Sequence, residues 1–356
     1  MRLVEHLAVI GTALVVTLAV TPAVRLIGKR LGIVARPGHR HVHEGVIPRI
    51  GGVAMSIGFG AAVLLRWLGE TIWGWEPALT LVSEPVAGVF VSLAIMFAVG
   101  LVDDVVDLKP GQKVAGQVAA GLVAFFAGVR IDFVGNPFGG DIILLGVLSL
   151  PVTLLWMVGF ANVINLIDGL DGLAAGVCAI AAVTLLVLAQ EMNQALAAVL
   201  AAALIGVCIG FLRYNFNPAS IFMGDSGALF LGFTLACIAL LGVMKSVAAI
   251  TLVVPLLIIG VPVFDTLSAI IRRRRGGRPF HEADKGHIHH RLLGRGFSQR
   301  QTVLIIYVWS IALAIGGYAM RWVPTAYKVL TFVVLAGLSG LMAYWLGLFE
   351  VAHHED

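Results

Sequence analysis

Runs of about 20 mostly apolar residues recur along this chain, each long enough to cross roughly 30 Å of hydrocarbon as a helix. Short polar blocks rich in Asp, Asn, Gly and His separate them. The runs predict eleven spans, at about 3–28, 50–69, 84–102, 113–129, 142–160, 172–190, 195–213, 226–244, 247–271, 302–320 and 326–347. The expected fold is therefore all-α, a polytopic integral membrane protein. No polar stretch is long enough for a second domain, so residues 1–356 read as a single transmembrane domain. The first run is too long for a signal-peptide core, and no small-residue cleavage site precedes Arg25. It reads as a retained helix.

Composition agrees with the pattern. Hydrophobic residues make up 59% of the chain and charged residues 12%, and the mean hydropathy is +0.98, far outside soluble globular composition. Cys178, Cys208 and Cys237 all lie inside predicted spans, which argues against a disulfide framework or a soluble metal cluster. The cations fix an orientation. With the N-terminus outside, 18 of the 24 Lys and Arg residues fall on the inner side, which places the C-terminus in the cytoplasm by the positive-inside rule. Arg272 to Arg275, directly after the ninth run, read most simply as an orientation anchor. Nothing in the chain suggests a nucleic-acid partner; the lipid bilayer is the partner the composition demands.

The acids gather without help from that rule. Of eleven aspartates, Asp103, Asp104, Asp107, Asp168, Asp171, Asp225, Asp265 and Asp284 fall on the inner side. Any one of them reads as a helix cap or a solvated charge, but they arrive with glycines and amides in five blocks. These are GIVARPGHRHVHEGVIPRIGG at 32–52, VGLVDDVVDLKPGQK at 99–113, NVINLIDGLDGLAAG at 162–176, RYNFNPASIFMGDSGALFLGF at 213–233, and VPVFDT at 261–266 running on to RRRRGGRPFHEADKGHIHHRLLGRG at 272–296. Every block sits at the same predicted face, so together they predict one polar site built from helix ends and loops.

Asp103, Asp104, Asn165, Asp168, Asp225 and Asp265 offer hard oxygen atoms, which suit Mg²⁺, or Mn²⁺, better than zinc. Magnesium takes one or two protein carboxylates and fills its shell with water and phosphate oxygens. Carboxylates in excess beside Lys113, the Arg272 to Arg275 run, Lys285, His287, His289, His290 and Arg291 therefore point to phosphoryl transfer. Helix N-termini expected near 172 and 226 would favour anions. Asn162, Asn165 and Asp168 recur every three residues, so they fan over one side of a helix, and the Gly-Leu-Asp-Gly step can break that helix and turn Asp171 towards the same pocket. Charges near a span carry a cost that a metal and a phosphorylated ligand would offset.

The five blocks, in this order, resemble the polyprenyl-phosphate N-acetylhexosamine-1-phosphate transferase family, over roughly residues 20 to 300. The motifs are DD-x-x-D, N-x-x-N-x-x-DG-x-DG, N-x-P-A-x-x-F-x-GD-x-G and HIHH. The resemblance implies an Mg-dependent integral membrane enzyme with its active site at the cytoplasmic face of the bacterial plasma membrane. Such an enzyme moves a sugar 1-phosphate from a UDP-sugar to a lipid phosphate. DKGHIHHRL at 284–292 is similar to the branch that loads GlcNAc 1-phosphate, which implies UDP-GlcNAc as donor and undecaprenyl phosphate as acceptor. The phospho-MurNAc-pentapeptide branch usually carries three consecutive histidines there. By the same resemblance Asn165 and Asp225 hold magnesium, and Asp171 contacts the uracil end of the donor. Asp103 and Asp104 handle the acceptor phosphate as base or positioning groups, and Asp168 and Lys113 belong to the same catalytic site. His287, His289, His290 and Arg291 close over sugar and diphosphate, and Asn162, Asp265, Arg40 and His43 complete the substrate-binding set.

Two letters depart from the family's first loop, which commonly reads D-x-P and then R-K-x-H. Here Ala35 replaces the Asp and His41 the Lys, and a neutral imidazole would weaken anion binding at higher pH. Two other classes fit less well. A CDP-alcohol phosphotransferase motif matches Asp168, Asp171, Gly172 and Ala175, then fails at Gly176, Leu185, Ala189 and Asn193. A secondary transporter would place its polar residues near the bilayer midplane with repeats in its two halves, and neither is seen.

Overall fold

The computed structural model describes residues 3–35, 46–79, 84–135, 142–242, 253–275 and 286–348. Within them the chain is almost wholly helical: α1 Leu3–Leu31, α2 Gly51–Ile72, α3 Glu84–Val106, α4 Pro110–Phe126, α5 Ser149–Ile167, α6 Leu173–Glu191, α7 Ala195–Asn215, α8 Gly224–Gly242, α9 Val253–Ile258, α10 Gly260–Arg275, α11 Ile288–Gly294, α12 Gln299–Ala319 and α13 Thr325–Trp345. Two short antiparallel hairpins complete it. β1 (Val34–Ala35) pairs with β2 (Ile47–Pro48), placing Val34 opposite Pro48, and β3 (Phe133–Val134) pairs with β4 (Ile143–Leu144).

Nine of the described helices are long and apolar enough to cross a membrane, and the protein is a multi-pass membrane protein. The other two predicted spans also became helices, but short ones. Helix α4 starts at Pro110, where a proline suits the first turn, and the chain leaves it at Gly128, which has φ +90°; only 17 residues remain helical. The ninth run divides into α9 and α10. Pro262 has no N–H to give to the carbonyl of Ile258, which weakens the helix where the two segments meet.

Helix α8 forms the centre. It is buried along nearly its whole length and packs against α2, α3, α5, α6 and α7. Its backbone comes so close to its neighbours that a Cβ on Gly100 of α3 would lie 2.5 Å from Ser226 Cα, and one on Gly232 would lie 2.6 Å from the Phe160 carbonyl of α5. Small residues at such seams let helices gain packing where lipid supplies no hydrophobic drive. Helix α1 wraps the outside of this core against α7 and α2. At the far end of α1 and α2 the buried Arg66 is paired with Glu5 and Glu70, both at 3.3 Å, so the guanidinium is not left uncompensated in the low-dielectric interior.

The C-terminal ends of α1, α3, α5 and α7 meet the N-terminal ends of α2, α4, α6, α8 and α12 at one face. Described residues of all five polar blocks converge there. Of the first block, residues 36–45, with Arg40, His41 and His43, lie outside the described residues, as does Lys285.

Candidate active site

A cleft of about 760 Å³ opens at this face, lined among others by Ala35, Arg49, Asp104, Asn165, Asp168 and Asp225. Its head is an ion-pair knot. Lys113, in the first turn of α4, lies 2.8 Å from Asp103 Oδ2 at the end of α3 and 2.5 Å from Asp225 Oδ1 in the first turn of α8. Asn165 Nδ2, near the end of α5, donates to the same Asp225 oxygen at 2.7 Å. One ammonium thus serves two carboxylates, and the knot keeps a net negative charge.

Asp104 does different work. It accepts hydrogen bonds from Asp225 N at 2.8 Å, Ser226 N at 3.0 Å and Ser226 Oγ at 2.5 Å. The N-terminus of α8, expected from the sequence to attract a ligand anion, is therefore already satisfied by a protein carboxylate. Gly224 makes the approach workable: its φ is +69°, and a Cβ there would lie 2.0 Å from the Arg49 carbonyl and 2.5 Å from Asp104 Oδ1. Arg49 reaches back to the Asp104 carbonyl at 3.1 Å and to Asp107 at 2.6 Å. Asp103 Oδ1 also accepts from Leu108 N at 2.7 Å, which fixes the turn into α4.

Helix α5 ends at Ile167, and Asp168 is its C-cap. The turn that follows closes at Gly172, which has φ +81°, so the Gly-Leu-Asp-Gly step breaks the helix and brings Asp168 and Asp171 to one cleft. Asp168 lies deep in the protein while part of its surface stays open to the cleft. Burial pushes its carboxyl well above the usual range, and the nearby charges of Asp225, Asp104 and Asp171 push the same way. Asp171 is built into its surroundings: its Oδ2 accepts from Asn217 Nδ2 at 3.1 Å and Ala219 N at 2.9 Å. The N-terminus of α6 is likewise satisfied from within, since Gly172 N donates to Asn215 Oδ1 at 3.1 Å.

Two residues expected to touch substrate face other protein groups. Asn162 Nδ2 donates to Gln117 Oε1 at 2.6 Å, an amide pairing that joins α5 to α4. Asp265, on α10, bonds His287 Nδ1 at 2.9 Å and accepts from Ile288 N at 2.8 Å. It thereby caps α11 and sets the angle of the histidine segment. The rings of His287 and His289 stack with centroids 5.7 Å apart, and His290 lies 4.3 Å from His289. Arg291 follows on α11. His289 closes onto the α5–α6 turn, where a Cβ on Gly169 would lie 2.7 Å from His289 Nε2. Burial pushes the His289 imidazole down to about 3, with His290 adding to the effect, so the ring is neutral at physiological pH.

The arginine run also divides. Arg272 is buried, donates to Ser268 Oγ at 3.2 Å and to the Leu348 carbonyl, and underlies Gly286, whereas Arg274 is exposed. Arg272 is thus an internal support of the histidine segment, and the anchor reading does not hold for it. Sequence reasoning also passed over Ser226, Asn215 and Asn217, although each sits inside a quoted block. Gln299 carried no signal, because Ser298 and Gln301 read as an ordinary helix start with a reciprocal cap.

Among the described residues no three His, Cys, Asp or Glu side chains form a metal cluster. The donors present, the Asp225 carboxylate and the Asn165 amide oxygen beside a knot of net negative charge, suit a hard cation.

A cleft with carboxylates and a lysine at its head, at the merged ends of membrane helices, has the charges that phosphoryl transfer in a membrane protein calls for. The glycosyl transferase family 4 profile matches residues 86–243. The chain is 38% identical over 90% of its length, and 86% of the relative's, to a Bacillus subtilis (strain 168) protein named "Probable undecaprenyl-phosphate N-acetylglucosaminyl 1-phosphate transferase". It is 36% identical over 95% of its length, and 89% of the relative's, to a decaprenyl-phosphate N-acetylglucosaminephosphotransferase of Mycobacterium tuberculosis (strain CDC 1551 / Oshkosh). It is 34% identical over 89% of its length, and 98% of the relative's, to a phospho-N-acetylmuramoyl-pentapeptide-transferase of Desulforudis audaxviator. The chain belongs to glycosyl transferase family 4.

Proposed function

We propose that this protein transfers GlcNAc 1-phosphate from UDP-GlcNAc to undecaprenyl phosphate, releasing UMP and forming undecaprenyl-diphosphate-GlcNAc. This is the starting step of a cell-envelope polysaccharide such as a teichoic acid or O-antigen. The observation that carries the reading is the meeting of Lys113, Asn165 and Asp225 at the head of the cleft, in a chain similar over 90% of its length to a protein of that printed name.

Donor diphosphate and acceptor phosphate are both anions, so their mutual repulsion is the main barrier. Lys113 supplies a positive charge at the head of the cleft, and the segment from His287 to Arg291 supplies neutral and cationic donors beside the α5–α6 turn. An ionised oxygen of the acceptor phosphate attacks the β-phosphorus of the donor; the bond from that phosphorus to the bridging oxygen breaks, and UMP leaves with the electron pair. Because the acceptor is already ionised, the step asks no side chain to remove a proton. Asp104 holds α8 in place, and Asp103 holds Lys113. Asn165 and Asp225 would hold Mg²⁺, which when bound supplies charge neutralisation at the donor diphosphate. The cation bias of the loops supports an inward-facing site in the bacterial plasma membrane, with the N-terminus outside.

The test is UMP release by detergent-purified protein given UDP-GlcNAc and undecaprenyl phosphate, with and without Mg²⁺. Magnesium-dependent UMP and lipid-linked GlcNAc are expected. Turnover only with a different UDP-N-acetylhexosamine, UDP-MurNAc-pentapeptide included, would keep the chemistry and change the sugar. Folded protein that turns over no UDP-sugar would defeat the reading.

A further inference from the structure

Gln299 opens α12 outside every polar block, yet it lines the cleft. Its Oε1 accepts from Asn217 Nδ2 at 2.6 Å, and the same Nδ2 donates to Asp171 Oδ2 at 3.1 Å. Arg300 Nε fixes the Asn217 carbonyl at 3.0 Å. With Oε1 tied to a donor the carboxamide cannot turn round, so its nitrogen is held in place for another partner. That nitrogen is buried and has no hydrogen-bond partner among the described residues. Buried polar atoms are normally paired, so an orphaned amide nitrogen on a cleft-lining residue marks a ligand contact.

The groups of the cleft tell which part of a ligand arrives there. Asp225 lines the cleft and is backed by Lys113, which also holds Asp103. Asp168 lines the same cleft, within electrostatic reach of Asp225, Asp104 and Asp171. Asp171, Asn217 and Gln299 form a hydrogen-bonded chain. Charges that meet a diphosphate gather about Asp225 and Lys113, and amides lie beside Asp171, where an uncharged hydrogen-bonding group belongs. Resting on the transferase reading above, we propose that Gln299 is a specificity-determining residue for the donor nucleotide. Its Nε2–H donates to a carbonyl oxygen of the base. A base with an amino group at that position, as in cytosine, would set donor against donor and be rejected.

Gln299→Glu separates this role from a structural one, because it keeps an oxygen for Asn217 and removes the donor. Gln299→Met removes both. Wild-type protein is expected to be inhibited by UMP far more strongly than by CMP. In Gln299→Glu the KM for UDP-GlcNAc should rise about tenfold with kcat changed less than about twofold, the UMP preference shrinking in step. Wild-type kinetics in Gln299→Glu with a defect only in Gln299→Met would show that the residue merely anchors Asn217, and would overturn the proposal. So would a changed sugar preference with the UMP preference intact. UMP binding by calorimetry distinguishes the deeper failure: if wild-type protein neither binds UMP nor turns over, the transferase reading falls and takes this one with it.

Discussion

Lys113 Nζ lies 2.5 Å from Asp225 Oδ1, joining the first turns of two helices whose residues are 112 positions apart. The same ammonium holds Asp103 at 2.8 Å, so the end of α3, the start of α4 and the start of α8 are locked through one charge. Two carboxylates share it, which leaves the knot receptive to a further cation.

Removing that charge should be costly. In Lys113→Met two partly buried carboxylates face each other without compensation, and turnover should fall by about 10²-fold or more. Measuring UMP release together with the melting temperature in detergent checks this; full activity in a folded variant would remove Lys113 from the reaction.

Asp104→Asn should behave as a structural lesion first. Three hydrogens now point at the Asp104 oxygens, and an amide NH₂ would confront at least one of them. The expected loss is about 1–3 kcal/mol of stability, seen as a lower melting temperature, with Ser226→Ala showing a smaller fraction of it. Unchanged stability with lost turnover would instead point to direct chemistry at Asp104.

His289 predicts a pH effect with a definite sign. Its folded pKa, about 3, lies below the ordinary 6.5, so the unfolded chain binds the extra proton between those values. Stability is complete above pH 6.5 and is lost as pH falls towards 3, by about 2 kcal/mol at pH 5 from this residue. Thermal unfolding at pH 7.5 and 5 should show a smaller acid-side loss in His289→Gln than in wild type. An equal loss in both would mean the ring is accessible to protons.

Within the arginine run, Arg272→Gln should reduce both melting temperature and turnover, because the Leu348 carbonyl and the Ser268 hydroxyl lose their partner. Arg274→Gln, at an exposed position, should stay within about 0.5 kcal/mol of wild type. Equal effects of the two substitutions would return Arg272 to an anchoring role.

The helices were legible because a 20-residue apolar run has one stable solution in lipid, where each backbone group must be bonded within its own segment. The family was legible because its motifs are residues close together in the chain, and the convergence of the polar blocks because the spans alternate across the membrane. What the sequence did not disclose was which groups satisfy each other. Asn162 pairs with Gln117 and Asp265 with His287, contacts set by helix rotation and spanning 45 and 22 positions. Motif letters alone do not separate a ligand from a group that positions one. Gln299 and the burial of Arg272 were silent for the same reason: both are decided by tertiary neighbours.

The central placement of α8 bears on how the enzyme is made. Its principal packing partners, α2, α3, α5, α6 and α7, all precede it in the chain and so leave the ribosome before it. Every helix of its principal socket is thus synthesised first, and in the finished fold the first turn of α8 sets Asp225 against Lys113 and Asn165. The ion-pair knot is completed only once α8 is in place, and a nascent chain halted before residue 224 would carry Lys113, Asp103 and Asn165 without the Asp225 that joins them.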